Sequence, residues 1–345
     1  MMENILTIVM YHYVRELPYT RYPKINGLLV SQFREQLKYF EKHYQFVTED
    51  ECLNAIYSKG EMPSNALLLT FDDGYIDHFI NVFPVLEEKG IQGCFFPPGK
   101  PILENKVLDV NKIQFILASC HNIHEIINEI YKLLDNYRSE YALESNEFYF
   151  SKYSKYKSSY DPNEIVFIKK LLQFGLKEEI RTLILDKLFR KYVTIDEEGF
   201  ACELYMNIDQ LRCMKRNGMC IGGHGYNHFW MNTLQAKEQE HEIDLTLKLL
   251  NEVGSPVDNW IMCYPYGQYN RSLIDVLKKR NCKLALTDVS KNHNIAVLTK
   301  NNAFSLARLD TIDFPMNKDQ EISYWTKKLN FSRGKNVKYT RNPSF

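Results

Sequence analysis

Short apolar runs alternate with amphipathic segments along the first hundred residues of the chain. Residues 5–11, 65–71 and 93–96 are apolar runs, and the middle run, Asn-Ala-Leu-Leu-Leu-Thr-Phe, has polar residues on both sides. A run of this kind is typical of a parallel strand that is buried on both faces. We therefore predict three strands in this part of the chain.

The segments between these runs have helical periodicity. Residues 30–44 place their large apolar side chains on one helical face, with Ser31 as the predicted N-cap. Residues 78–89 form a second predicted helix, which Gly90 ends at the C′ position. Strands that alternate with helices indicate βαβ units around a parallel sheet or barrel.

Residues 104–200 interrupt this alternation with apolar residues at helical spacing on both sides of a polar, tyrosine-rich stretch at 151–160, a predicted exposed loop. The alternation then returns, with strands predicted at 219–223, 260–264, 283–287 and 304–307 and helices at 234–253 and 272–280. We interpret 104–200 as a helical insertion in a domain of residues 1–326. It follows a strand on the side where βα loops build active sites, so we expect a lid or a surface for dimer contact.

Positive and negative charges balance over the chain. Its 345 residues include 43 Lys or Arg and 43 Asp or Glu, and zero net charge excludes a nucleic-acid binder with a chain-wide basic surface. Residues 327–345 differ, because this tail has six Lys or Arg and no acidic residue. We expect either a solvated terminus or a weak contact of this tail with an anionic membrane surface.

The distribution of apolar residues and cysteines favours a cytoplasmic protein. No apolar run reaches the roughly 18 residues that a transmembrane helix needs. The first residues lack the basic start and cleavage site of a signal peptide and are expected to form the first strand. The eight cysteines contain no Cys-x-x-Cys pair, so we expect free thiols in a reducing compartment.

Two adjacent acidic residues, Asp72 and Asp73, directly follow the predicted buried strand at 65–71. Two carboxylates are costly to bury unless a cation offsets their charge, and a divalent metal does so. Because consecutive side chains point in different directions, one carboxylate can bind a metal while the other acts as a base. The alternative is a pair of helix-capping aspartates with no chemistry.

Two further segments follow predicted strands. His224 and His228 have the i, i+4 spacing that places both on one face of a helical turn, close enough to share a metal ion. Pro265, Tyr266 and Gly267 form a rigid turn that can direct a backbone N–H at an anionic oxygen. Taken separately, the histidine pair is weak evidence for a metal site, and residues 265–267 are an ordinary turn.

Together these motifs resemble those of the polysaccharide deacetylases (NodB-like, carbohydrate esterase family 4). Residues 70–74 are the family's Thr-Phe-Asp-Asp-Gly motif letter for letter. His224 and His228 match its His-(Ser/Thr)-x-x-His motif, with Gly225 at the Ser/Thr position, and residues 265–267 match the end of its Arg-x-Pro-Tyr-Gly motif. The resemblance implies a distorted (β/α) barrel that holds one divalent ion at the carboxyl ends of its strands.

The resemblance also implies roles for individual residues. Asp73, His224 and His228 bind the metal ion, expected to be zinc. Asp72 is the general base for the attacking water, and the Tyr266 backbone N–H supports the oxyanion. These groups suit amide hydrolysis, since an unreactive acetamide needs a Lewis acid, an activated water and a proton acceptor.

The chain departs from the family pattern at two places. Cys263 occupies the position of the motif's arginine, and no Leu-x-x-His segment, the usual source of the general acid, is present near the C-terminus. We predict that Arg308, which follows the strand at 304–307, reaches Asp72 from a different strand. The alternative is a surface arginine on a terminal strand.

The missing acid is assigned to His12, which follows the first strand. In a parallel barrel that end of the strand opens onto the catalytic face, beside the last strand. Histidine has an ordinary pKa suited to proton donation near neutrality. The alternative is a structural histidine whose ring is held by hydrogen bonds.

We therefore expect a metal-dependent enzyme that removes an N-acetyl group from an amino sugar for the synthesis of a surface polysaccharide or glycoconjugate. An intracellular substrate favours a nucleotide-linked or lipid-linked precursor over a finished polymer. Two alternatives remain open at this stage: a carbohydrate-binding pseudoenzyme of the same fold, and an amidase that acts on a non-sugar amide.

Overall fold

The structure is a computed structural model that describes residues 4–156, 161–288 and 295–331. The chain divides into two compact units. The first comprises residues 1–16, 27–102 and 205–345, and the second comprises residues 17–26 and 103–204. Within the described parts of the chain, no helix is both long enough and apolar enough to cross a membrane.

The first unit is built on parallel strands. The described strands are β1 (Ile5–Tyr11), β2 (Gln45–Phe46), β3 (Ala66–Asp72), β4 (Gly93–Phe96), β5 (Cys220–Ile221), β6 (Ile261–Cys263), β7 (Leu284–Thr287), β8 (Ala296–Val297), β9 (Leu306–Ala307) and β10 (Leu309–Asp310). One sheet has the order β10-β1-β3-β4-β5, with β2 on β3 and β8 antiparallel to β1, and a second sheet has the order β6-β7-β9. Every residue of β3 is buried, as its uninterrupted apolar sequence predicts.

The two sheets meet at Gly222 and Gly223. Gly223 forms a parallel bridge with Met262, and its N–H donates to the Ile261 carbonyl at 3.0 Å. A Cβ atom on Gly222 would lie 2.6 Å from the Phe96 ring and 2.8 Å from the Ile261 oxygen, so this approach requires glycine. Strand β10 is at one end of the first sheet order, and β9 is at one end of the second. Arg308 is the single residue between these two strands in the chain.

The helices of the first unit follow its strands. They are α1 (Val30–His43), α2 (Glu49–Tyr57), α3 (Phe83–Lys89) and α4 (Gly99–Glu104), and later in the chain α11 (Ile208–Arg216), α12 (Ala236–Val253), α13 (Arg271–Lys279) and α14 (Tyr324–Phe331). The predicted helix at 78–89 consists of a π-helical turn, His78–Val82, followed by α3, and it ends at Gly90 with φ +64° as predicted. The predicted α/β class and its strand–helix alternation are confirmed.

One local prediction is wrong, and one predicted boundary falls inside a helix. Helix α1 begins before Ser31, and Gln32 accepts the Leu29 N–H at 2.9 Å in place of a serine cap. The boundary predicted between residues 326 and 327 falls inside α14, so the tail is helical at its start. The remaining tail residues, 332–345, lie outside the described part of the chain.

The second unit is helical. It contains α5 (Asp109–Ser119), α6 (Ile123–Tyr141), α7 (Asn146–Tyr153), α8 (Asn163–Lys170), α9 (Glu178–Tyr192) and α10 (Glu197–Leu204). Residues 151–153 belong to α7, so the loop predicted at 151–160 is wrong there, because Tyr149 and Tyr153 are buried on one helical face. Residues 157–160 of that prediction lie outside the described part of the chain.

Candidate active site

Parallel strands carry the predicted site residues to one edge of the first unit. In register, Tyr11 pairs with Phe71 and Asp72 pairs with Phe96, so β1, β3 and β4 end side by side. In a parallel sheet the residues that follow the strands share one edge, the usual place for a site in α/β folds. His12 and Asp73 are therefore neighbours in space.

Asp72 and Asp73 are both buried but point to different partners. Their exposed fractions are 2% and 5%. Asp72 ends β3 in extended conformation, whereas Asp73 has φ +68° and turns the chain away from the strand. This left-handed turn continues at Gly74, also at φ +68°, where a Cβ atom would lie 2.8 Å from Pro97. The turn separates the two carboxylates, as expected for two different roles.

Asp73 lies against both predicted histidines. Its Oδ1 atom is 3.5 Å from His224 Nε2 and 3.3 Å from His228 Nε2. One ligand atom from each of the three residues lies within 4.8 Å of the others, and all three side chains are buried. His224 Nδ1 bonds to the Cys263 carbonyl at 2.8 Å, so it is Nε2 that faces the site. The three residues form one oxygen–nitrogen–nitrogen donor set.

The two histidines lie on a loop, and the predicted helical turn is wrong. Gly225 has φ +72° and His228 has φ +58°, both incompatible with an α-helix. The buried Glu242 on α12 shapes the loop, because its Oε2 atom accepts the N–H groups of Tyr226 at 3.0 Å and Asn227 at 2.9 Å. The loop places the centroids of the two imidazole rings 4.8 Å apart. The sequence spacing does not reveal this backbone conformation.

This donor set suits a divalent cation. Asp73 Oδ1 is buried and accepts no hydrogen bond from the residues that the structure describes, although it faces two imidazole nitrogens. Burial lowers the pKa of His224, but Cys263, Asp72 and Asp73 together raise it well above its ordinary value. Two imidazoles with one carboxylate are a common ligand set for catalytic zinc, and these three buried side chains fit that set.

Asp72 forms a paired interaction with Arg308. Arg308 Nη1 donates to Asp72 Oδ1 at 2.8 Å, and Nη2 donates to Oδ2 at 2.6 Å. Burial raises the pKa of Asp72, but the Arg308 guanidinium, with His224 and His12, lowers it to about 2. Asp72 is therefore an ionised carboxylate throughout the neutral pH range and can accept a proton.

Arg308 reaches Asp72 because of the strand order. Its flanking strand β10 pairs with β1 through Leu309 and Val9, and β3 lies on the other side of β1. The guanidinium is also held by Thr70 Oγ1 at 3.2 Å and by the Thr287 carbonyl at 3.3 Å. Cys263 lies at the same carboxylate, with Sγ 3.5 Å from Asp72 Oδ2. An arginine is thus present at Asp72, but it comes from the junction between β9 and β10.

His12 and Tyr266 complete the set of predicted site residues. His12 Nε2 lies 4.0 Å from Asp72 Oδ2 with 43% of its side chain exposed, and its carbonyl accepts a hydrogen bond from His78. Tyr266 has φ +55°, and its ring lies against His228 and stacks on Trp230 at centroid distances of 4.7 and 4.6 Å. Both residues therefore lie beside the carboxylate–histidine cluster.

Sequence reasoning missed Tyr75 and Glu242. The Tyr75 hydroxyl donates to Asp73 Oδ2 at 2.7 Å, and Glu242 holds the histidine loop. A signal for Glu242 existed, because it lies with Gln239 and Thr246 among the buried residues of an amphipathic helix, where polar side chains need partners. For Tyr75, the signal was its position two residues after Asp73.

Comparisons with known sequences find similarity to one family. Residues 194–285 match the family model described as polysaccharide deacetylase. The Bacillus subtilis (strain 168) protein YxkH, whose name assigns it to the polysaccharide deacetylases, is 31% identical over 98 residues. That alignment spans 28% of this chain and 33% of YxkH, so it covers about a third of the relative's length. The resemblance to the polysaccharide deacetylases is confirmed.

Solved structures share the fold over most of the chain. The Streptococcus pyogenes deacetylase PplD, solved in complex with acetate, has a TM-score of 0.52 at 16% identity and aligns over 90% of this chain and 93% of its own. IcaB from Ammonifex degensii has a TM-score of 0.51 at 16% identity, with 89% and 91% covered. These likenesses establish the fold alone, and it is the NodB-like deacetylase fold expected from the sequence.

Proposed function

We propose that this chain, which resembles the polysaccharide deacetylases in sequence over residues 194–285 and in fold over about nine tenths of its length, hydrolyses the N-acetyl group of an amino sugar with the aid of a divalent metal ion. The observation that supports this proposal most strongly is that two adjacent buried carboxylates have different partners. Asp73 faces two histidines, whereas Asp72 faces an arginine.

In this proposal, Asp73, His224 and His228 hold the metal ion. The ion supplies a Lewis acid for the acetyl carbonyl and lowers the pKa of a bound water. Asp72 accepts the proton of the attacking water, since Arg308 keeps it ionised and fixes its orientation. Arg308 acts only through Asp72 and is therefore a positioning residue.

The other half of the reaction needs a proton for the leaving amine and a donor for the oxyanion. His12 is the proposed acid, and its support is the 4.0 Å distance to Asp72 together with a partly exposed ring that can reach substrate. The Tyr266 backbone N–H is the proposed oxyanion donor, on the strength of the contact between its ring and that of His228.

An amino sugar is the proposed substrate because of the family resemblance and because an aromatic pair, Trp230 and Tyr266, lies next to His228. Sugar rings pack their apolar faces on aromatic side chains. A carbohydrate-binding pseudoenzyme is disfavoured, because a buried base with its arginine partner and a full metal ligand set serve no purpose in binding alone. Zinc is the proposed metal from the ligand types.

The test is acetate release from N-acetyl amino sugars offered in nucleotide-linked, lipid-linked and polymeric form. Zinc-loaded protein should release acetate from at least one form, a chelator should abolish release, and added zinc should restore it. The Asp72→Asn variant is the control for contaminating activity. Sugar binding without acetate release from any form would support the pseudoenzyme instead, and equal release from a simple N-alkyl acetamide would support the non-sugar amidase.

A further inference from the structure

The two oxygens of the Asp73 carboxylate have different partners. Oδ1 faces His224 and His228, whereas Oδ2 accepts a hydrogen bond from the Tyr75 hydroxyl at 2.7 Å. One oxygen is therefore directed at the cluster while the other is occupied.

The Tyr75 ring is held firmly in place. It is fully buried and stacks on Tyr13 at a centroid distance of 3.9 Å and on Tyr205 at 6.1 Å. Tyr75 and Tyr205 also share an antiparallel backbone bridge. On the far side of Tyr13, the Arg15 guanidinium lies 4.6 Å from the ring centroid. This packing holds the ring so that its hydroxyl lies beside Asp73 Oδ2.

The turn after β3 makes this contact possible. Asp73 and Gly74 both have φ +68°, which reverses the chain so that the side chains of residues 73 and 75 meet. His224 of the donor set is instead oriented by the backbone carbonyl of Cys263. Orientation of a ligand by a fixed outer partner is a general way in which proteins tune metal affinity.

We propose that Tyr75 is a positioning residue that keeps Asp73 a one-oxygen ligand and thereby sets the affinity of the metal site. The inference rests on the metal site of the proposed function. With Oδ2 bound to the phenol, the carboxylate would present only Oδ1 to a metal ion, and the ion could then also bind water and the acetyl oxygen. Without the phenol, the carboxylate can rotate or offer both oxygens.

The test compares Tyr75→Phe with Tyr44→Phe as a matched control. Tyr44 is also buried, and its hydroxyl is bonded to Thr326 Oγ1 at 2.6 Å, between parts of the fold that carry none of the site residues. Zinc affinity is measured by competition with a chromophoric chelator, and the visible spectrum of the cobalt(II)-substituted proteins reports on coordination. We expect Tyr75→Phe to weaken zinc binding about 10- to 100-fold, the usual effect of losing such a partner, and to change the cobalt spectrum. Tyr44→Phe should change neither.

Equal zinc affinity and equal cobalt spectra for wild type and Tyr75→Phe would overturn the inference. If Tyr75→Phe lowers the midpoint of thermal unfolding of the metal-free protein, Tyr75→His provides a second variant, because an imidazole N–H can donate to Asp73 and should restore part of the affinity. Failure of that restoration also counts against the inference. Neither readout uses acetate release, so the inference and the proposed reaction fail separately.

Discussion

Removal of the Arg308 guanidinium is the sharpest test of the division of labour at the two carboxylates. Arg308→Ala deletes two charge-assisted hydrogen bonds, at 2.8 and 2.6 Å, to a carboxylate that is 2% exposed. Breaking a buried ion pair by removing one partner leaves an uncompensated charge and costs about 3–5 kcal/mol. We expect a loss of stability of this size near neutral pH.

The pH dependence follows from the pKa of Asp72. In the wild type this pKa is about 2, below its ordinary value of 3.8, so the pairing stabilises the folded state at neutral pH. That stabilisation is lost as the pH falls from about 4 through about 2. In Arg308→Ala, the main group that lowers the pKa of Asp72 is gone. Burial of the carboxylate therefore raises this pKa. The stability difference between the two proteins should therefore narrow as the pH falls from the raised pKa of Asp72 in Arg308→Ala towards about 2.

The same change should appear in catalysis. The base must be ionised, so the acidic limb of the profile of kcat/KM against pH should move to higher pH in Arg308→Ala. Arg308→Lys keeps the charge but loses the two-pronged geometry, and an intermediate shift is expected. Acetate release is measured as a function of pH, and chemical denaturation is measured at pH 3, 5 and 7.

Arg181→Ala is the matched control. Arg181 is 8% exposed and pairs with Asp109 at 3.2 Å in the second unit. This variant should lose stability while its acidic limb stays where it is in the wild type. An unshifted limb in Arg308→Ala, together with a stability difference that does not depend on pH, would refute the reasoning that Arg308 acts through the ionisation of Asp72.

Four further variants test the remaining roles. His224→Ala should lose bound metal, measured by elemental analysis, whereas Asp72→Asn should keep the metal and lose turnover, since only the proton acceptor is gone; equal metal loss in both would contradict the separate roles. His12→Gln should keep the fold and the metal but reduce turnover about 10²- to 10⁴-fold, the usual contribution of a positioned acid, and near-normal acetate release would exclude His12. Cys263→Arg in the Arg308→Ala background should recover part of the lost turnover, because Cys263 Sγ lies 3.5 Å from Asp72; no gain over the single variant would show that position 263 does not support the base.

Local sequence was sufficient to predict the strands that carry the candidate site and several residues that the structure brings together there. The apolar run before Asp72 is buried over its whole length and lies between two parallel neighbours, as predicted from its composition. Short motifs indicated the family resemblance because the reactive residues of each motif lie within a few positions of one another in the sequence. The helix end at Gly90 was also predictable, since a left-handed C′ position favours glycine.

Local sequence failed where the backbone conformation depends on distant groups. The spacing of His224 and His228 suggested a helical turn, but the loop between them is shaped by Glu242, which lies 14 residues or more further along the chain. The predicted cap at Ser31 is wrong because α1 begins before this residue. The Gln32 side chain accepts the Leu29 N–H instead.

The sequence by itself determined the strand pattern, the two adjacent carboxylates and the presence of an arginine and two histidines near strand ends. It also offered Arg308 and His12 as candidates, but candidates only, since 236 residues separate Arg308 from Asp72. Tertiary structure decided which of them meet. The pairing of β10 with β1 brings the last strand to the first, and a hydrogen bond of 2.6 Å depends on that pairing and on no local preference of the chain.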